Sequence, residues 1–239
     1  MKKGTKITIL FPCLNEEKTI EASINDAKEN MKKINMNNYE ILVVDNGSTD
    51  NSVNIAKKLG ARVINEKEKG YGNALRKGIK KASGKYIVFA DCDNSYKFEN
   101  IKDFISLLEE DTDFVIGNRY KGKMEKNAMP VTHKYIGTPI ISLIGRILYK
   151  IRVSDFNCGL RAIKKDSFTK IDFKSGGMEF ASEMLIKAKK SNLIIKEVPI
   201  NFYKDKRERK PHLRTIKDGL RHLRILLGEL HKWRINGLL

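Results

Sequence analysis

Two carboxylates separated by one residue, Asp91-Cys92-Asp93, directly follow the apolar run 86–90. Exposed where a buried strand ends, such a pair can hold a hard divalent cation and leave room for phosphate oxygens. Mg2+ or Mn2+ at Asp91 and Asp93 would bridge a diphosphate and neutralise charge developing on a leaving group. As a bare tripeptide the signal is weak; its position after an apolar strand is what raises it. Asp45-Asn46-Gly47-Ser48-Thr49-Asp50 follows a second apolar run, 39–44. Its Asn-Gly pair turns the chain and Asp50 is placed to cap a helix. The same turn presents Asp45 as an acceptor for a base or ribose donor. Asn15-Glu16-Glu17, after Pro12 and Leu14, is a third acidic segment at a strand end. Lys69-Gly70-Tyr71-Gly72-Asn73-Ala74 has the form of a phosphate-cradling glycine turn at a helix start. It has no third glycine and does not follow the first strand, so it is not a dinucleotide fingerprint. No GxxxxGK[ST] segment occurs, which disfavours a P-loop nucleotidase.

The elements that would position these groups alternate. Strands are expected over 7–11, 39–44, 61–64, 86–90 and 114–117, and helices over 18–33, 50–59, 73–82 and 100–109. The strands are too apolar for burial on one face only, so the pattern predicts an α/β fold: a mostly parallel sheet with helices on both faces. In such sheets ligands bind beyond the carboxyl ends of the strands. Segments 12–17, 45–50, 91–93 and 118–119 all fall there, and all are polar.

The second half reads differently. Residues 135–151 form an apolar stretch broken by Gly137, Pro139, Gly145 and Arg146; 178–190 is helical; 193–202 is a strand whose Pro199 suits an edge. In the tail, Leu213, Ile216, Leu220, Leu223, Leu227 and Leu230 repeat at helical spacing, with Arg214, Lys217, Arg221 and Arg224 opposite. The division expected is a catalytic domain over 1–210 and a basic amphipathic helix over 211–239.

Composition bounds the function. The 239 residues are 41% hydrophobic and 32% charged, which excludes both a disordered chain and a polytopic membrane protein. Cys13, Cys92 and Cys158 are odd in number and widely spaced, offering neither a disulfide framework nor a CxxC zinc pattern, and favour a reducing cytosol. The opening Met1-Lys2-Lys3-Gly4 runs directly into a strand, so no signal peptide is expected. The net charge of +18 suits nucleic acid, an anionic membrane face or phosphorylated substrates. Residues 203–239 contribute +7 of it, from 11 basic and 4 acidic residues.

The segments Phe11-Pro12-Cys13-Leu14-Asn15-Glu16-Glu17, Val43-Val44-Asp45-Asn46-Gly47-Ser48-Thr49-Asp50, Gly70-Tyr71-Gly72-Asn73-Ala74 and Asp91-Cys92-Asp93 resemble, in order and spacing, the family 2 glycosyltransferases of the GT-A fold. Gly117-Asn118-Arg119, Ala128-Met129-Pro130, Asp155-Phe156-Asn157-Cys158-Gly159-Leu160-Arg161 and the segments 177–184 and 211–223 resemble the dolichyl-phosphate glucose or mannose synthase-like branch. The resemblance covers essentially the whole chain. It implies a nucleotide-sugar donor, with a UDP-sugar favoured and GDP-mannose as the other option, and a polyprenyl-phosphate acceptor. By the family pattern Pro12, Leu14, Glu16 and Asp45 line the nucleoside pocket, with Lys69 and Gly70 nearby. Asp91 and Asp93 hold the metal–diphosphate, Arg119 neutralises phosphate, and Asp155, Arg161 and Glu183 surround the sugar. Two departures stand out. The mannose synthases carry a Gln two residues beyond the second Asp, where this chain has Ser95. They also have an Arg and a Gly-x-Ser-Lys-Leu segment where this chain reads 206–213, so that Lys206, Arg207, Arg209 and Lys210 share the anion-binding task.

A phosphate monoester is already largely anionic at neutral pH, so its attack needs no dedicated base, whereas a sugar hydroxyl would need one. Direct displacement predicts inversion at the anomeric carbon. A lipid-linked acceptor requires membrane proximity. The tail helix can pack on the domain, pair with a second copy to make a homo-oligomer, or lie on the membrane, with 135–151 as a second interfacial segment. The expected location is peripheral, on the cytoplasmic face. Two alternatives compete: a same-fold transferase acting on a soluble or polysaccharide hydroxyl, and a basic nucleic-acid-binding module. A processive polymerase is disfavoured because no Gln-x-x-Arg-Trp occurs; 229–233 reads Glu-Leu-His-Lys-Trp. The nucleic-acid reading lacks any supporting motif, and acidic strand ends are wrong for a phosphate-backbone groove.

Overall fold

The computed structural model describes residues 6–207 and 215–235, with side chains in the last helix described from 218 to 230. The chain opens as β1 (Ile7–Cys13), α1 (Ile20–Lys33), β2 (Tyr39–Asp45), α2 (Ser52–Lys58), β3 (Arg62–Asn65), α3 (Tyr71–Lys81), β4 (Tyr86–Phe89), α4 (Ile101–Glu109) and β5 (Phe114–Asn118). A π-helical turn, His133–Gly137, then runs into α5 (Thr138–Tyr149). β6 (Arg161–Lys164), α6 (Lys165–Thr169), α7 (Phe180–Lys190), β7 (Ile195–Pro199) and α8 (Thr215–Ile235) complete it.

The seven strands form one sheet in the order β3-β2-β1-β4-β6-β5-β7. β1 to β4 pair in parallel and β5 pairs in parallel with β7, while β6 runs antiparallel between β4 and β5. The central strands are buried on both faces, as their unbroken apolar runs require. β7 is one of the two edge strands, and its Pro199 sits where a missing amide costs no ladder bond. The expected strands and first-half helices all form. β6 was not expected as a strand: four residues with a charge at each end, Arg-Ala-Ile-Lys, carry no alternation to read. Its register sets Arg161 beside Phe89 and Ile116, which brings that arginine under the site.

The three cysteines are free and buried. Among the described residues no helix is long and apolar enough to cross a membrane.

α8 docks on the domain with a face other than the leucine seam. Asp218, His222 and Leu226, spaced by four, are buried, while Leu220 and Leu227 are 62% and 52% exposed. The buried ridge is satisfied from α5 and α7. His222 Nδ1 lies 2.8 Å from Ser182 Oγ, Lys190 Nζ lies 2.8 Å from Glu229 Oε2, and the Tyr149 hydroxyl donates to the Leu226 carbonyl. Polar groups that find partners across the interface override the hydrophobic period. Leu213 lies outside the described residues.

The 131–147 segment keeps an apolar face outward. Val131, Tyr135, Ile136, Ile140, Leu143 and Ile147 are all at least half exposed, while Thr138, Ile141, Ser142 and Gly145 face inward.

Candidate active site

The carboxyl ends of β1, β2, β4 and β5 form one rim, where Cys13 and Asp45 are register partners. The loops beyond β1 and β2 are stitched to one another by side chain–backbone bonds. The Glu16 amide donates to Ser52 Oγ (2.7 Å), Thr49 N to Asn15 Oδ1 (2.8 Å) and Glu17 N to Asp50 Oδ2 (3.0 Å). Asp45 accepts the amides of Ser48 (3.0 Å) and Gly47 (3.3 Å), which fixes its carboxylate on the turn. Asn46 secures the approach to α3: its amide nitrogen donates to the Glu66 and Glu68 carbonyls, and its oxygen accepts Gly70 N at 2.7 Å. This brings exposed Lys69 over the Gly47 turn, while Pro12 and Leu14 stay partly open beside buried Glu16 and Asp45.

The glycine turn serves a different end from the one its sequence suggests. Gly70 has φ of 142°, and a Cβ there would overlap the Gly176 carbonyl oxygen; Gly72 is equally crowded by Ser175 and Phe180. Gly176 O accepts Asn73 N at 3.2 Å. The glycines therefore let the 175–177 loop close onto the start of α3, and one of the amides a phosphate would need is already used.

Asp91 is hydrogen-bonded by the Tyr71 hydroxyl, and burial together with the nearby Asp93 charge pushes its carboxyl up to about 6. Gly159 backs directly onto it, with no room for a side chain between Asp91 and the Tyr96 ring. Asp93 Oδ1 accepts both the Ser95 hydroxyl (2.5 Å) and the Ser95 amide (3.0 Å). Ser95 thus orients Asp93. The described residues hold no group of three or more metal-ligating side chains. Two oxygen-donor carboxylates in mutual repulsion nonetheless fit Mg2+ or Mn2+, which take one or two carboxylates and fill the remaining positions with phosphate oxygens and water.

Arg119, at the end of β5, is 6% exposed and held in a fork by Asp155. Nε and Nη2 each lie 2.7 Å from an Asp155 oxygen, and the Arg119 amide adds a bond of 3.1 Å. Nη1 reaches the Tyr96 hydroxyl at 3.3 Å, and the guanidinium stacks on Phe202. Behind the pair, Glu197 on β7 accepts the amides of Ser154 (2.6 Å) and Asp155 (3.2 Å). The neighbouring Tyr120 hydroxyl donates to the Lys134 carbonyl (2.9 Å), so the outward apolar face of 131–147 begins beside this cation.

Arg161 and Glu183 are organisers. Arg161, 2% exposed, donates to the carbonyls of Cys158, Phe156 and Ala181, each at 2.8 Å, clamping 156–160 to the start of α7. Glu183 is 1% exposed; its oxygens accept the amides of Lys174 (2.9 Å) and Ser175 (2.8 Å), and Lys187 Nζ lies 2.8 Å away.

Of the basic run after β7, Arg207 enters the site. It lies 2.8 Å from Asp93, 3.3 Å from Glu16 and 2.6 Å from Asp205. Lys206 points outward and only its amide reaches in, to Asp93 O at 3.3 Å. Arg209 and Lys210 lie outside the described residues. Tyr71, Tyr96, Glu197 and the choice of Arg207 escaped sequence reasoning. Tyr71 could have been found between its two glycines; a run of four cations gives no period that singles out Arg207.

The sheet order, with the acidic end of β2 and the DxD after β4 on one rim, is that of a GT-A nucleotide-binding domain. Residues 8–172 match glycosyl transferase family 2, and the chain belongs to that family. It is 35% identical to the low-salt glycan biosynthesis hexosyltransferase of Haloferax volcanii, over 92% of this chain and 53% of that protein. It is 32% identical to the dolichol-phosphate mannosyltransferase of Pyrococcus furiosus, over 95% of this chain and 64% of that protein. The chain therefore spans only half to two thirds of these relatives. A Methanococcus voltae protein named UDP-N-acetylglucosamine–dolichyl-phosphate N-acetylglucosaminyltransferase is 33% identical over 81% of this chain and 84% of its own length. The fold also matches glucosyl-3-phosphoglycerate synthase of Mycobacterium tuberculosis, crystallised with Mn2+, UDP and phosphoglyceric acid: TM-score 0.72, 20% identity, 95% of this chain and 79% of that one.

Proposed function

We propose that this chain is a hexosyltransferase that moves a sugar from a nucleotide diphosphate, a UDP-sugar or GDP-mannose, to a polyprenyl phosphate at a membrane surface, with inversion. The observation that carries the reading is the rim itself: Asp45 and Glu16 at the nucleoside end, Asp91 and Asp93 at the diphosphate, and the buried Arg119 beyond. Names of the relatives that act on dolichyl phosphate support the acceptor, and the UDP complexes of the fold neighbour support the donor.

In this reading Asp45 accepts from the nucleoside, with Pro12, Leu14 and Lys69 around it, and Asp91 and Asp93 hold Mg2+ or Mn2+. The ion, when bound, offsets charge on the diphosphate leaving group. Arg119, preset by Asp155 and Tyr96, meets phosphate without reorganising. Arg161 and Glu183 shape the sugar side by fixing 156–160 and 174–175. Both Glu183 oxygens being engaged favours a phosphate acceptor over a hydroxyl, because the hydroxyl reaction needs a free base. The outward apolar face of 131–147, with Leu220 and Leu227 and the basic tail, would rest on the cytoplasmic membrane surface.

Thermal-shift screening of UDP- and GDP-sugars with Mg2+ or Mn2+ tests the donor side. Metal-dependent stabilisation by one nucleotide series, lost in Asp93→Ala, is expected. Stabilisation by neither series, or equal stabilisation of Asp93→Ala, would overturn the reading.

A further inference from the structure

Arg207 lies against Asp93, one of the two carboxylates assigned above to the metal. Asp93 has one oxygen committed to Ser95, through both the hydroxyl and the amide. The other oxygen, Oδ2, accepts from Arg207 Nη2 at 2.8 Å. The same guanidinium bonds Glu16 Oε1 through Nη1 (3.3 Å) and Asp205 Oδ2 through Nε (2.8 Å). Three carboxylates from three parts of the chain thus share one largely buried cation. The backbone holds it there: Tyr203 N donates to Ser95 O (3.0 Å), Lys206 N to Asp93 O (3.3 Å), and Lys204 N to Glu125 Oε2 (2.8 Å). The Tyr203 hydroxyl reaches Glu99 at 3.1 Å. The segment 203–207 is a strap across the Asp93 side of the rim, fastened to the backbone of 93–95 and to the side chains of Glu99 and Glu125.

We propose that Arg207 is a resident counter-cation that makes metal binding conditional on the donor diphosphate. This rests on the donor reading above. A metal arriving alone must displace the guanidinium from Asp93 Oδ2 and leave it without that partner in a partly dry site. A metal arriving with a diphosphate meets no such penalty, because the phosphate oxygens give the displaced guanidinium a new anionic fork. The site therefore rejects free metal and accepts the metal–diphosphate pair.

The test is Mn2+ titration of the full chain followed by electron paramagnetic resonance, with and without UDP. In UDP-free enzyme, Arg207→Met is expected to bind Mn2+ at least tenfold more tightly than wild type, within the roughly 5- to 150-fold range of ordinary couplings. Arg207→Lys, which keeps a cation near Asp93, is expected to stay within about threefold of wild type, on the basis that charge rather than shape excludes the metal. A circular dichroism spectrum and thermal melt matching wild type would verify that Arg207→Met is folded. Unchanged or weaker Mn2+ binding by UDP-free Arg207→Met would overturn the proposal. Failure of UDP to bind any of the proteins would count against the donor reading alone, since the UDP-free comparison decides the role of Arg207 by itself.

Discussion

Replacing Asp155 by Ala isolates the most consequential buried interaction in the site. Asp155 is fully buried, and its partner Arg119 is 6% exposed. The substitution removes two charge-assisted bonds of 2.7 Å and the acceptor of the Arg119 amide. Arg119 keeps only the Tyr96 hydroxyl and the Phe202 face. Leaving one member of a buried ion pair uncompensated typically costs about 3–5 kcal/mol. For a domain of this size that corresponds to a fall in Tm of roughly 10 °C. Urea unfolding followed by circular dichroism reads the change directly. Arg119→Met combined with Asp155→Ala removes the orphaned charge and is expected to recover at least half of the loss, although the double variant should be inactive. A cost below about 1 kcal/mol for Asp155→Ala, the size of an exposed pair, would refute the reasoning. It would mean that water reaches Arg119 freely.

The remaining predictions concern the tail, the glycine turn and the apolar face. Burial, and next the Arg161 charge, hold the His222 imidazole down at about 4 against the opposing pull of Asp218, well below its ordinary value near 6.5. The folded state binds that proton less readily, so this contribution is complete above pH 6.5 and is lost as pH falls toward 4, up to about 3 kcal/mol. His222→Gln should flatten the stability profile in that window, and parallel profiles would contradict the assignment. Gly70→Ala forces a side chain onto the Gly176 carbonyl at a φ that favours glycine, so a destabilisation of at least about 1–3 kcal/mol is expected in thermal melts; an unchanged Tm would contradict the close approach. Ile140→Lys with Ile147→Lys alters two outward side chains and should leave Tm unchanged while weakening flotation with anionic vesicles by about tenfold or more. Undiminished flotation would exclude this face as the membrane contact.

What could be read from the sequence, and what could not, divides along physical lines. β1, β2, β4 and β5 were legible because double-sided burial demands unbroken apolar runs, and the polar residues ending those runs had to share a rim. β6 was not, since its neighbours on both sides satisfy a four-residue strand that carries charges at its ends. The helical nature of the tail was legible from its period, but its docked face was not. Asp218 pairs within the helix with Arg221, but His222 is buried there because Ser182 on α7 receives it, and that complementarity appears only in three dimensions. Glu183 is a charged residue in a helical stretch, with nothing local to signal burial. It is buried because the loop before α7 folds back and offers it two amides. The carboxylates of the rim could be named individually, whereas the cation that meets them could not. Arg207 is selected by the path of the strap, which no local pattern encodes.

The central claim is that sugar passes from a nucleotide diphosphate to a lipid phosphate on this rim. Incubation with radiolabelled UDP- or GDP-sugar, Mn2+ and vesicles carrying polyprenyl phosphate, followed by organic extraction, tests it most directly. The account predicts label in the lipid phase as an anomerically inverted sugar phosphodiester, absent with Asp93→Ala. Label appearing only on a water-soluble hydroxyl acceptor, or lipid labelling undiminished in Asp93→Ala, would contradict it.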